Sequence, residues 1–306
     1  MTKLRCIEEL VEEFKNQRPI RGGSLIITIY GDAISPRGGT VWLGSLIKLL
    51  EPLGLNQRLV RTSIFRLTKE GWLTSTQVGR RSYYSLTDTG RRRFESAFRR
   101  IYAQLYPEWD GKWDLVITTQ LDVELRKVVK KEMEWLGFGN ISPGVMAHPM
   151  ADMAEVNSTL QELCVNNEVI HMESQLIGMQ TSAPLKELVH ECWNLQQLSE
   201  DYQTFLERFR PILRSLETAE DLDPEQCFQL RTLMIHHYRR VLLRDPQLPE
   251  KLLPAEWAGT SARILARNIY RMVQTKAEEY LSATQETADG PLPEPAPQFY
   301  KRFGGL

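Results

Sequence analysis

Between residues 55 and 100 the chain gathers eleven basic side chains: Arg58, Arg61, Arg66, Lys69, Arg80, Arg81, Arg91, Arg92, Arg93, Arg99 and Arg100. Only Glu70, Asp88 and Glu95 oppose them, a balance of +8. A guanidinium presents a planar fork of donors that fits a phosphate or the O6/N7 edge of guanine, so the chemistry on offer is recognition of a polyanion rather than bond making. If about half of these groups met phosphates, counterion release would make affinity fall by orders of magnitude across a physiological range of salt.

The elements that must position these residues can be read from the spacing. Leu43, Leu46, Ile47 and Leu50 recur at i, i+3, i+4 and i+7 and predict a helix over Trp42–Leu50 with one buried face. Asn56 is a favourable N-cap for a second helix that runs uninterrupted to Glu70 and is closed by Gly71. Residues placed 100° apart put Val60, Ile64 and Leu67 on one stripe of that helix, and Arg58, Thr62, Phe65 and Lys69 opposite, flanked by Arg61 and Arg66. Trp72–Val78 and Ser82–Leu86 are rich in β-branched or aromatic residues, and Gly79-Arg80-Arg81 between them reads as a hairpin turn. Beyond them Phe94, Phe98, Ile101 and Leu105 mark a further helix.

Helix, turn, helix and an arginine-tipped ribbon suit duplex DNA. The major groove admits one helix, and the ribbon can follow the neighbouring backbone or minor groove. The predicted DNA-binding set is Asn56 and Gln57 at the helix start, Arg58 and Arg61 toward guanine, Thr62 and Phe65 toward a thymine methyl, and Arg66, Lys69, Arg80 and Arg81 toward phosphates. The same pattern fits a protein-interaction module with a solvated basic face. Arg66 would then brace the neighbouring helix, and Phe65 would be half-buried packing.

The rest of the chain differs in charge. Residues 1–100 hold 18 Lys/Arg against 9 Asp/Glu, a balance of +9, whereas the whole 306-residue chain has 38 against 39, which leaves −10 for the remaining 206. The first residues lack the apolar core of a secretory signal, no run approaches the length of a membrane helix, and the four cysteines are scattered. A cytoplasmic, disulfide-free protein is expected. Residues 113–119 read as a strand, Val123–Leu136 as a helix with Leu125, Val128, Val129 and Met133 inward, then strands at Gly139–Ser142 and Val145–His148, a helix over Met153–Val165 and a strand over Val169–Leu176. The order βαββαβ is that of a ferredoxin-like sandwich. Helices follow over Leu185–Leu216, interrupted at Pro211, over Pro224–Leu243 with Asp223 as N-cap, and over Thr260–Leu281. Residues 286–297, with four prolines, are expected to be extended and mobile.

Groups for catalysis are sparse. His236 and His237 are adjacent and so point about 100° apart on a helix, which denies them one metal; His237, in line with Leu230, Met234 and Val241, reads as a hydrogen-bonded core histidine. Asp114 and Asp122 bracket the first sandwich strand and would be the Mg²⁺ ligands of a nuclease. That leaves one rival reading, a nuclease or acyl-CoA-processing enzyme that docks through its basic head. A ligand site is suggested by Arg263, Arg267 and Arg271 at i, i+4 and i+8, by Arg239 and Arg240 at the end of the preceding helix, and by Trp257 beside them. These types would hold a molecule anionic at one end and aromatic at the other, although such a stripe equally fits a solvated face.

Four stretches also carry a family resemblance. Gly54–Leu73, Tyr84–Gly90, Lys112–Leu115 and the segment Tyr238–Gly259, with its Asp-Pro-x-Leu-Pro and Leu-Leu-Pro-x-x-Trp pieces, resemble the PaaX-type repressors of phenylacetic acid degradation operons, nearly end to end. The resemblance implies an α+β protein with an N-terminal winged helix-turn-helix (residues 1–90), a linker helix (91–111), a ferredoxin-like, Cas2-like domain (112–180), a helical effector and dimerisation domain (181–285) and a proline-rich tail (286–306). It implies a homodimer on palindromic double-stranded operator DNA, phenylacetyl-CoA as the releasing effector, no resident cofactor and no catalysis.

Overall fold

A computed structural model describes residues 1–102, 108–177 and 182–306. Leu105 of the predicted helix, and parts of the expected 91–111 linker and of the 112–180 and 181–285 segments, lie outside the described residues. The chain forms two compact units. One comprises residues 1–104, 204–240 and 261–306, and the other residues 105–203 and 241–260. The helices near the end of the sequence thus join the same body as the basic head.

In the first unit, α1 (Arg5–Asn16) buries Ile7, Leu10, Val11 and Phe14. The apolar run after Gly22 forms α2 (Gly22–Ile29) and widens into a π-helical turn over Tyr30–Ile34 that carries Asp32 inside. A short strand, β1 (Thr40–Trp42), leads into α3 (Leu43–Leu50). A 3₁₀ turn, Glu51–Leu53, and Gly54 at φ +83° then reverse the chain, a conformation glycine adopts at no steric cost. There follow α4 (Gln57–Lys69), β2 (Leu73–Val78), β3 (Arg81–Leu86) and α5 (Asp88–Tyr102). The strand order is β1-β3-β2, all antiparallel. Three-residue β1 escaped the sequence reading because it is too short to show a period.

The second unit holds β4 (Lys112–Ile117), α6 (Val123–Trp135), β5 (Gly139–Ser142), β6 (Val145–His148), α7 (Met153–Glu162) and β7 (Ile170–Gln175). The antiparallel order β5-β6-β4-β7 is the ferredoxin-like one. Val116, Val129, Met133, Phe138, Met146, Val156 and Leu160 fill its core. Val128, expected inward, is 45% exposed, because the buried stripe of α6 passes through Val129 and Met133 instead.

The helical part begins with α8 (Ala183–Cys192) and α9 (Leu195–Glu217). The break falls at Trp193-Asn194, where Asn194 turns left-handed at φ +45°, while Pro211 stays inside α9. Asparagine tolerates that conformation better than most residues and so ends a helix that periodicity alone would continue. Next come α10 (Pro224–Leu242), capped by Asp223 accepting from the Gln226 N–H at 2.9 Å, and α11 (Ala258–Thr284). The segment read as a mobile tail is instead packed into the first unit. It forms a ribbon, β8 (Glu286–Thr287) with β9 (Gly290–Pro291), then a 3₁₀ stretch over Pro297–Gly304, kinked at Arg302 and Phe303, that buries Phe299, Arg302 and Phe303. Proline content reported the extended backbone but not the aromatic anchors that seat it.

A chain of charges runs through the first unit. Asp32 Oδ2 meets Arg231 Nε at 2.9 Å, and Oδ1 meets Arg302 Nη1 at 3.0 Å while accepting from the hydroxyls of Tyr102 at 2.6 Å and Tyr270 at 2.9 Å. Arg231 also pairs with Glu278, which in turn pairs with Arg37. Arg37, Arg231 and Arg302 are all buried. Buried guanidinium groups survive only with such partners. Asp32→Ala would leave Arg231 and Arg302 short of their carboxylate and is expected to cost about 3–5 kcal/mol, read as a fall in the urea unfolding midpoint; an unmoved midpoint contradicts the role given to Asp32.

His236 is the core histidine, its Nδ1 3.0 Å from Thr28 Oγ1 and its ring edge-on to Phe14, whereas His237 is half-buried with Nε2 3.5 Å from Arg208. Burial, aided by the neighbouring cations, pushes His236 down to about 3 and His237 down to about 4. Both remain neutral in the fold while the unfolded chain takes up protons below about pH 6.5. Stability is therefore expected to fall as pH drops from about 6.5 toward 4, by up to about 1.4 kcal/mol per pH unit for each histidine. Urea midpoints at about pH 7 and 5 check this, and equal values contradict it.

Candidate nucleic-acid interface

The candidate surface is built on α4. Asn56 Oδ1 accepts the Leu59 N–H at 2.9 Å and starts the helix, satisfying a donor that has no partner within the first turn. Val60, Ser63, Ile64 and Leu67 are buried, and α4 packs against α2 on that side. A Cβ on Gly22 would stand 2.9 Å from Ser63 Oγ, so a residue without a side chain is what lets the two helices approach. With one face fixed by packing, the other must point to solvent.

All ten residues of the predicted set are exposed: Asn56, Gln57, Arg58, Arg61, Thr62, Phe65, Arg66 and Lys69 on α4 and its cap, and Arg80 and Arg81 on the hairpin. Phe65 is 70% exposed, which leaves it little packing of its own. Thr62 donates its hydroxyl to the Arg58 carbonyl at 2.9 Å and is itself exposed. Turned with its oxygen toward Arg61, the Gln57 amide accepts from that guanidinium at 3.1 Å. Arg80 lies in the turn, while Arg81 is the first residue of β3, opposite Val78. Arg93 lies over the Trp72 ring at 4.9 Å, which draws one of the α5 arginines back toward the base of the hairpin.

Two neighbours of this surface carried no signal in the sequence. The Arg81 guanidinium lies over Trp42 at 4.2 Å, and its Nη1 is 2.7 Å from Glu286 Oε2. Glu286 is 205 residues away, and no local pattern marks so distant a contact.

The five residues of the predicted ligand site have separate fates. Arg239 donates to the Thr28 hydroxyl at 2.9 Å and the Ser24 carbonyl at 3.3 Å, so it is taken up in joining α10 to α2. Arg263 lies 5.9 Å over Phe303, Arg267 is half-buried with no hydrogen-bond partner at Nε among the described residues, and Arg240 is exposed. Their neighbour Arg271 donates to the Gly305 carbonyl. Trp257 belongs to the other compact unit and is buried edge-on against Tyr202, 5.9 Å away. Asp122, weighed as a metal ligand, accepts the Leu125 N–H at 2.9 Å and caps α6; Asp114 lies 3.1 Å from His171 Nε2.

No helix of the described residues is long and apolar enough to cross a membrane. Three family models match consecutive stretches of the chain: PaaX-like protein over residues 21–90, PaaX protein central Cas2-like domain over 106–186, and PaaX-like protein C-terminal domain over 193–283. The protein named transcriptional repressor PaaX from Escherichia coli (strain K12) is 46% identical over 301 residues, covering 98% of this chain and 95% of its own length. Among solved structures, an uncharacterized protein from Mycobacterium tuberculosis aligns at 23% identity with a TM-score of 0.47, over 76% of this chain and 88% of that one. With a curated relative matched along nearly its whole length and all three family models in register along its sequence, this chain belongs to the PaaX-like family.

Proposed function

We propose that this chain is a DNA-binding transcriptional repressor of phenylacetic acid catabolic genes, released from its operator by phenylacetyl-CoA and without catalytic activity. The observation that carries the DNA-binding reading is the outward face of α4, where four cations, a threonine and an exposed phenylalanine stand on a helix whose other face is fixed in the core. The turn before it and the β2–β3 hairpin after it support a winged helix-turn-helix reading, in which α4 enters the major groove and the hairpin follows the backbone. Its relative's name, a transcriptional repressor, supports the same direction.

In this reading residues 1–90 read DNA, 91–111 lead to the Cas2-like segment 112–180, and the helices of 181–285 serve effector binding and dimerisation. Two protomers address the half-sites of a palindrome, one α4 in each major groove. Arg58 and Arg61 read guanine, Asn56, Gln57, Thr62 and Phe65 line the groove, and Arg66, Lys69, Arg80 and Arg81 hold phosphates. The exposed Arg240 and the half-buried Arg263 and Arg267 support a role in holding the phosphates of a CoA thioester, whereas Arg239 would have to give up its contacts with Thr28 and Ser24. The effector acts only through its different affinity for the DNA-binding and released states.

Arg58→Ala and Arg61→Ala are expected to relax base preference at about 1–3 kcal/mol of discrimination each, and Arg80→Ala to weaken all sequences alike and lower the salt slope by about one. Binding titrations over a salt series check this, and unchanged affinity in all three variants would reject the assigned face. On an operator fragment upstream of phenylacetate genes, phenylacetyl-CoA is expected to release the complex and free phenylacetate to leave it intact; a gel shift in which neither acts removes the effector assignment.

A further inference from the structure

The contact between the hairpin and Glu286 calls for a reason of its own. Glu286 opens β8, and several bonds fix it there. The buried Gln285 side chain donates to the Ser45 carbonyl at 3.4 Å, the Glu286 N–H donates to Ser45 Oγ at 3.4 Å, and Glu286 pairs with Pro291 across the ribbon. The α11 helix ends one residue earlier, at Thr284, before Gln285. The carboxylate so placed meets Arg81, whose guanidinium is held over Trp42. Arg81 and Glu286 are each about half exposed, at 50% and 46%, and an exposed pair of this kind adds little to stability. Folding therefore does not account for it.

Chemistry supplies another reason. A carboxylate and a phosphate compete for the same fork of guanidinium donors. A phosphate contact also carries no sequence information, so whatever weakens it weakens non-cognate binding along with cognate binding, and leaves base reading by α4 with a larger share of the total. We propose that Glu286 is an intramolecular competitor for the hairpin's phosphate-binding arginine: it occupies Arg81 in the free protein, duplex DNA must displace it, and it thereby sets the strength of sequence-independent binding. The inference rests on the DNA-binding reading given above and deepens it. Because Gln285 and Glu286 follow directly on α11, any shift of that helix's end would also change how firmly Arg81 is held.

The test uses the full chain and a mixed-sequence duplex of about 30 base pairs, long enough for two half-sites a helical turn apart, with fluorescence anisotropy across a salt series. Glu286→Gln keeps the size of the side chain and removes its charge. It is expected to bind the duplex about threefold or more tightly at low salt, and the gain is expected to vanish when Arg81→Ala is added. Equal affinity of Glu286→Gln and the parent protein overturns the proposal, as does a gain that persists in full beside Arg81→Ala, since that would be a general charge effect. A parent protein with no salt-dependent duplex binding overturns the DNA-binding reading itself, and that result is visible before either variant is measured.

Discussion

The Asp32 carboxylate, buried among the guanidinium groups of Arg231 and Arg302 and the hydroxyls of Tyr102 and Tyr270, is the constraint from which the first unit takes its form. Each partner comes from a different element: Tyr102 from α5, Arg231 from α10, Tyr270 from α11 and Arg302 from the 3₁₀ stretch after the ribbon. Glu278 extends the chain from Arg231 to Arg37. Replacing a buried ion network by well-packed apolar residues of similar volume is often neutral for stability. A charge network does something they cannot, because it tolerates one arrangement of donors and acceptors and penalises neighbouring ones.

That constraint reaches the candidate DNA surface by short steps. Asp32 sits in the π-helical turn that continues α2, and α2 is held a second time through Thr28, which meets both His236 and Arg239 of α10. At the other end of α2, Gly22 admits α4 to close packing. The orientation of α4 is thereby referred to α10 and α11 rather than to the hairpin alone. A head built this way is not a module on a tether. Its α4 belongs to the same compact unit as α10 and α11, which begin far downstream at Pro224 and Ala258.

What the sequence reveals of this follows from the range of each interaction. Local patterns were legible: the Asn56 cap, the Val60–Ile64–Leu67 stripe and the βαββαβ order all rest on spacings of a few residues. Val128 departs from the expected stripe of α6 because apolar type is a weaker guide than the neighbours a side chain meets. Asn194 ended a helix for a reason of backbone conformation that the apolar pattern does not carry. The buried network was invisible, since Asp32 reads as one acid in a cationic region and Arg231 as one cation on a helix, and nothing near Asp32 marks Arg302, 270 residues away, as its partner. Histidine burial went the same way: periodicity selected His237, and the contact with Thr28 selected His236.

The same separation bears on the order in which the protein is made. During synthesis Asp32 emerges long before Arg231, Tyr270 and Arg302, and domains generally fold in the order in which they are translated. A nascent chain that ends after β3 has the basic surface complete in sequence but holds Asp32 without its counterions Arg231 and Arg302. The charge network cannot be completed before residue 302 has been made and released, so a product truncated before it carries the exposed arginines of α4 without that part of its framework.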